Sequence, residues 1–303
     1  MSLAFLFPGQ GAEHPGMGLD LAERSRDAQA LLERAGRASG VDALRVLERG
    51  GRDLERTEVI QPLLVATCLA FGAALRQAGI IPDFVAGHSL GELAAWSQAG
   101  GIEATAAVDL AAVRGRLMAR EASRHPGGML ALVDADEATA ERAVELGATR
   151  GVVALAAQNS PRQWVLSGED PALRAIAAVF PSARLPVRGA WHGPAMEGVV
   201  AEFRAALRLA PASPLRSRLV GNGSGELLGE EGVADALARQ LVRPVRWALV
   251  LQALARAGVT EAVTVGPGKT LRALVRQVLG ETFSVHTTEG VADLARTLAA
   301  LGR

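Results

Sequence analysis

Short apolar runs alternate with amphipathic stretches along most of the chain. Leu3 to Phe7 and Phe84 to Ala86 are brief and apolar throughout, the pattern of strands buried on both faces. Arg218 to Gly221, Ala262 to Val265 and Phe283 to His286 read as further strands. Helix-compatible patterning covers Leu19–Ala38, Ala43–Glu48, Gln61–Ala78, Leu90–Gln98 and Glu103–Ser123, and later Ala195–Leu209, Val233–Leu241 and Trp247–Ala257. Strands alternating with helices predict an α/β fold, a parallel sheet with helices on both faces.

The middle of the chain changes character. Met129–Val133, Val152–Ala156, Gln163–Ser167 and Ala183–Val187 read as strands, with helices at Glu137–Leu146 and Pro171–Val179. A hairpin turns across Asn159-Ser160-Pro161. The order βαββαβ is that of a ferredoxin-like unit. His125-Pro126-Gly127-Gly128 and Pro186 to Gly193 flank it as linkers. The predicted organisation is a discontinuous large domain, 1–125 and 189–303, carrying a small ferredoxin-like domain, 126–188.

One junction carries candidate chemistry. Gly87-His88-Ser89-Leu90-Gly91 lies between a predicted strand and a predicted helix and matches the Gly-x-Ser-x-Gly nucleophile elbow. Such a turn exposes the serine hydroxyl, and the helix that follows aims backbone N–H groups at it. The competing reading, a glycine-rich turn with a chance serine, lacks a reason for the strand before and the helix after. A serine needs a base. Of five histidines, His88 adjoins Ser89 on a sharp turn, His14 and His125 lie in loops, and His286 ends a strand. His192 follows the nucleophile in a glycine-rich loop and leads by position; its plain alternative is an exposed loop histidine. No acid stands out as a third member. Glu92 is too close to the elbow to be assigned by order, and a backbone carbonyl could orient the histidine instead.

Arg114 shares a helix face with Leu110, Leu117 and Met118, while Arg116 and Arg120 can face solvent. A guanidinium among apolar neighbours needs an anionic partner, which a structural salt bridge or a ligand would supply equally well. Nucleotide loops fail: the glycine-rich stretch Pro8–Gly18 has His14 where Gly-x-Gly-x-x-Gly needs glycine, and Gly268-Lys269-Thr270 has Val263 at the P-loop's first glycine.

Composition narrows the classes. The 303 residues are 49% hydrophobic and 21% charged, with zero net charge, so no field points to nucleic acid or an anionic membrane. Met1–Phe7 lacks the basic start of a signal peptide, and no uninterrupted apolar run of spanning length occurs, which makes the cytoplasm the default. Cys68 is the single cysteine and lies in an apolar helix, so neither a disulfide nor a Cys-based metal site is available within the chain. The histidines have no ligand spacing, and no metal is expected. Monomer is the default state.

Several separated stretches together resemble one family, the malonyl-CoA:acyl-carrier-protein transacylases and the related acyltransferase domains of polyketide synthases. They are Phe7-Pro8-Gly9-Gln10-Gly11, Gln61-Pro62, Gly87 to Glu92, Arg114 to Met118, Asn159-Ser160-Pro161, Gly189-Ala190-Trp191-His192, Gln240-Leu241 with Pro244 to Trp247, and Gly266-Pro267-Gly268. The resemblance implies a hydrolase-like α/β large domain with a ferredoxin-like insert. It implies Ser89 as nucleophile, His192 as base, the backbone N–H groups of Gln10 and Leu90 as oxyanion hole, and Arg114 as a two-pronged partner of the malonyl carboxylate. Gln61, Met118, Asn159 and Trp191 would line the acyl pocket, and the Gln240 carbonyl would orient His192. The implied reaction is ping-pong transfer of malonyl from malonyl-CoA to an acyl carrier protein, without a cofactor, in fatty acid or polyketide synthesis. Trp191 departs from the usual phenylalanine and should narrow the pocket; Glu13 and Gln158 also depart. The alternatives are a thioester hydrolase on the same scaffold, a transferase for another acyl-CoA, and a non-catalytic docking module.

Overall fold

A computed structural model describes residues 2–302. Five strands form a parallel sheet in the order β7 (Arg218–Val220), β2 (Phe84–Gly87), β1 (Ser2–Phe7), β8 (Val259–Thr264) and β9 (Ser284–Thr287). β1 and β2 are buried where they pair, which explains their unbroken apolar runs. Four more strands, β3 (Gly128–Leu132), β4 (Val153–Ser160), β5 (Gln163–Gly168) and β6 (Ser182–Arg184), form a separate antiparallel sheet in the order β4-β5-β3-β6. That is the ferredoxin-like arrangement predicted from the βαββαβ order.

The helices are α1 (Leu19–Ala22), α2 (Arg26–Ser39), α3 (Ala43–Arg49), α4 (Thr57–Gln77), α5 (Gly91–Gln98), α6 (Ala104–Arg124), α7 (Glu137–Ala148), α8 (Asp170–Ala177), α9 (Glu197–Leu209), α10 (Val233–Gln240), α11 (Trp247–Arg256), α12 (Lys269–Leu279) and α13 (Val291–Ala300). The single helix predicted over Leu19–Ala38 is two. Ser25 adopts an extended backbone and its hydroxyl accepts from Ala28 N, so it caps the start of a new helix. α4 begins one turn before the predicted Gln61, and α12 and α13 are helices beyond the predicted set. By length and composition α4 could cross a membrane, but 83% of its apolar window is buried, packed against α2 and α6. It is the core helix of the large layer.

The small sheet joins the large layer along β4, and Met129 of β3 and Val165 of β5 also pack into the main core. β4 lies alongside Val245: Gln158 N–H donates to Val245 O at 2.8 Å and Val245 N–H donates to Ala156 O at 2.9 Å. Arg246 also lies over the buried Trp164 ring of the small sheet, 5.3 Å from its centre. The main core fills the large layer, while Leu130, Leu132, Ala140, Ala143, Trp164, Leu166, Leu173 and Ile176 close a second core under the small sheet.

Candidate active site

β1 and β2 run parallel with Phe7 opposite Gly87, so the loops that leave them start side by side. The β2 loop is the elbow. A Cβ on Gly87 would lie 2.0 Å from the Gly91 carbonyl carbon, and one on Gly91 would lie 2.3 Å from Phe7 O. Both positions must therefore be glycine for helix and strand to pass this closely. Ser89 between them has φ of 51°, a left-handed conformation that costs a non-glycine residue about 1–2 kcal/mol. The Gly9–Gln10 loop presses on the elbow, with the Cβ direction of Gly9 pointing 3.5 Å from Ser89 Cβ. Among the described residues, the N–H groups of Gln10 and Leu90 have no hydrogen-bond acceptor.

His192 meets Ser89. Its Nε2 lies 2.7 Å from Ser89 Oγ, and its Nδ1 lies 2.8 Å from Gln240 O. A carbonyl only accepts, so Nδ1 carries the proton and Nε2 is free to take one from serine. His192 also has a left-handed backbone, φ 59°. Burial, then the nearby Arg114 charge, push its pKa down to about 3. The imidazole is therefore neutral at physiological pH, with Nε2 unprotonated. The loop-histidine alternative falls: His192 is only 5% exposed.

Arg114 reaches the same hydroxyl. Its Nη2 donates to Ser89 Oγ at 3.2 Å and to Gln240 Oε1 at 3.1 Å, and its Nη1 donates to Gln61 Oε1 at 3.0 Å. All three acceptors are neutral. The structural salt bridge left open by the sequence is absent among the described residues, and burial pulls the Arg114 pKa down to about 10. Gln61 is itself positioned by Met118 Sδ at 3.3 Å and by Gln10 Oε1 at 3.5 Å. A buried cation with its planar fork turned on neutral amides and the serine has the chemistry to accept a small carboxylate.

Other predicted residues stand further back. Asn159 does not reach Ser89; its Oδ1 lies 2.8 Å from His88 Nε2, and its amide donates to Gln163 at 3.1 Å. It therefore ties the elbow to the small sheet. Trp191 is buried, with its ring against Gly189. Glu13 accepts from Gly11 N at 2.6 Å and shapes the Gln10 loop, and Gln158 meets Arg246 at 3.4 Å. Neither departure touches the dyad.

Two residues escaped the sequence reading. Asn222, after β7, accepts from Ser89 N at 2.8 Å and donates to Gly87 O, spanning the elbow. Glu92, passed over as too close to Ser89, is 1% exposed and accepts from Asn222 N and Gln240 Nε2. No group of three or more potential metal-binding side chains occurs among the described residues.

Comparison with known proteins gives one answer along the whole chain. The model of the acyl transferase domain matches residues 4–300. The malonyl CoA-acyl carrier protein transacylase of Salmonella typhimurium is 32% identical, over 97% of this chain and 98% of its own length. The spectinabilin polyketide synthase system protein NorB of Streptomyces orinoci is 36% identical over 100% of this chain, which corresponds to 15% of that protein. Among solved structures, the malonyl transacylase of Streptococcus pneumoniae superposes with a TM-score of 0.91 at 30% identity, over 99% of this chain and 100% of that one. A type II polyketide synthase malonyl-transacylase in complex with its acyl-carrier protein gives 0.92 at 29% identity, covering 99% and 100%. With a family model matched end to end around an elbow, a histidine and a buried arginine, the chain belongs to the acyl transferase family.

Proposed function

We propose that the protein transfers a malonyl group from malonyl-CoA to the phosphopantetheine thiol of an acyl carrier protein, through a malonyl ester on Ser89. The observation that carries the reading is the convergence on one hydroxyl: His192 Nε2 at 2.7 Å and Arg114 Nη2 at 3.2 Å from Ser89 Oγ. Ser89 Oγ attacks the thioester carbon while its proton passes to His192 Nε2. The carbonyl oxygen gathers charge and takes hydrogen bonds from the Gln10 and Leu90 N–H groups. The intermediate collapses, the carbon–sulfur bond breaks, and His192 returns the proton to the CoA sulfur. A pantetheine thiol then gives its proton to His192 and attacks the ester, and Ser89 leaves with that proton. Arg114 holds the distal carboxylate, so the acyl group is oriented from both ends. Gln61 and Met118 shape the pocket beside it.

The CoA thioester is substrate, and the chemistry described calls on no cofactor. We take 126–188 as the small domain, the chain as a monomer, and the cytoplasm as its place, where CoA thioesters and carrier proteins are made.

Intact-protein mass after mixing with malonyl-, methylmalonyl- and acetyl-CoA in competition tests the reading. A malonyl adduct, absent in Ser89→Ala, is the expected result. Release of CoA without an adduct would instead favour the hydrolase.

A further inference from the structure

One buried carboxylate takes no part in the proposed chemistry. Glu92 sits in the first turn of α5, with its two carboxylate oxygens divided between two residues. Oε1 accepts from Asn222 N at 2.9 Å, and Oε2 accepts from Gln240 Nε2. Asn222 in turn brackets the elbow, through Ser89 N and Gly87 O. Gln240 touches the rest of the site. Its Nε2 also donates to Ser89 O at 3.0 Å, its Oε1 accepts from Arg114 at 3.1 Å, and its backbone carbonyl holds His192.

An amide has a donor end and an acceptor end, and either fits the same space. A carboxylate can only accept. With Glu92 ionised, the NH2 end of Gln240 must turn to it, and Oε1 is left for Arg114. An uncharged group at position 92 weakens that hold: Ser89 O and Arg114 still favour the same orientation, but the NH2 end loses its one charged acceptor and the amide is placed less firmly.

We infer that the Glu92 carboxylate is a positioning residue for acyl transfer, which fixes the orientation of Gln240 and through it the placement of Arg114 and His192 around Ser89. This rests on the malonyl-transfer reading. Glu92 also supplies the negative charge that the buried Arg114 lacks in direct contact, without occupying its fork.

The carboxylate can be switched off by protonation. Burial raises its pKa to about 7, against hydrogen bonds from Asn222 and Gln240 and the Arg114 charge. The surrounding ions are few. β1 and β2 carry none, and α4 carries Glu58 and Arg76 near its ends. On α10, Asp235 pairs with Arg204 and Arg208, and Arg239 is exposed. On α6, Asp109 pairs with Arg34, Arg116 reaches Ala38 O, and Arg120 and Arg124 gather on Glu121, which leaves Arg114 facing Glu92. His88 and His192 flank Ser89 itself, and both have pKa values lowered by burial.

Two readouts test this. The first is the rate of malonyl-enzyme formation from malonyl-CoA, as a function of pH. The second is the rate at which a fluorophosphonate labels Ser89, which needs the dyad but no malonyl group. Wild type should lose both rates on acidification through about pH 7. Glu92→Gln, checked for folding by its circular dichroism and melting curve, should lose roughly 100-fold in kcat for malonyl loading, the cost of a small misplacement of reacting groups. It should also label more slowly, and neither rate should keep the acid limb. A folded Glu92→Gln with kcat and labelling within about twofold of wild type would overturn the inference. So would wild-type rates that stay flat from pH 8 to pH 5, which decides the matter even if the variant does not fold. A wild type that labels normally but takes no malonyl would sink the malonyl reading alone, and the labelling comparison would still judge Glu92.

Discussion

The polar end of the parallel sheet and the core under the antiparallel sheet differ in what they bury. At the C-terminal end of the parallel sheet, Gln61, Glu92, Arg114, His192, Asn222 and Gln240 are all buried, and each is hydrogen-bonded to another member of the site or to the elbow. Under the antiparallel sheet the core is apolar, and Trp164 Nε1 has no partner there. A satisfied polar network fixes direction, because each donor accepts only certain geometries. An apolar core fixes volume and tolerates small rotations. The difference teaches that the polar end of the large layer stores geometry, while the core under the small sheet stores volume.

Substitutions should separate the two. The largest effect belongs to the dyad: Ser89→Ala should lower malonyl transfer by about 10⁴-fold or more in a radiolabelled transfer assay, with little change in melting temperature. Arg114→Ala comes next. It should cut malonyl loading roughly 100-fold or more while acetyl loading falls far less, because only the malonyl group presents a carboxylate. Equal losses on both donors would remove Arg114 from substrate binding. On the other side, Leu166 is fully buried in the small core. Leu166→Ala should cost about 2–5 kcal/mol in urea unfolding, with kcat of the folded fraction unchanged. A parallel loss of kcat would break the contrast.

A subtler prediction concerns pH and stability within the polar network. His192 falls from its ordinary 6.5 to about 3 in the folded protein, so the unfolded chain binds the extra proton, and this contribution is lost as pH falls below 6.5. Glu92 rises from 4.5 to about 7, so the folded protein binds the extra proton, and this contribution is lost as pH rises through 7. Between pH 4.5 and 6.5 the two slopes oppose each other and should largely cancel. Glu92→Gln should expose the His192 slope, with unfolding free energy rising with pH across that window; a flat profile in the variant would contradict the assigned shifts. The smallest effect is at the seam: Asn159→Ala should cost about 1 kcal/mol of stability, the worth of its bond to His88.

Much of this was legible in the chain. The elbow could be read because its five residues are contiguous and its glycines have a local reason. Arg114 was visible as a charge on an apolar face, and the small sheet as a change in element order. Leu271, Leu274, Val275 and Val278 recur at helical spacing, so α12 was available to the same reasoning. What did not show is what tertiary distance creates. Asn222 is one residue in Gly221-Asn222-Gly223-Ser224, which reads as an ordinary turn until the chain brings it to the elbow from 133 positions away. Glu92 follows Ser89 too closely to be assigned by order, yet Ser89 lies on the left-handed turn and Glu92 in the first turn of α5, where its carboxylate reaches Asn222 and Gln240 instead of the serine. The carbonyl that orients His192 is backbone, and no residue type marks it; only the family resemblance pointed to Gln240.

The pairing of β4 with Val245 bears on how such a protein can be recombined. Val245 lies five positions beyond the residue whose carbonyl holds the base, and Asn159, on the same strand, holds His88. The small sheet is thus stitched to both sides of the dyad, by main chain on one side and by a side chain on the other. A graft that exchanges the insert for another of the same topology must preserve the edge from Ala156 to Asn159, or the recipient inherits a fold with its base unmoored.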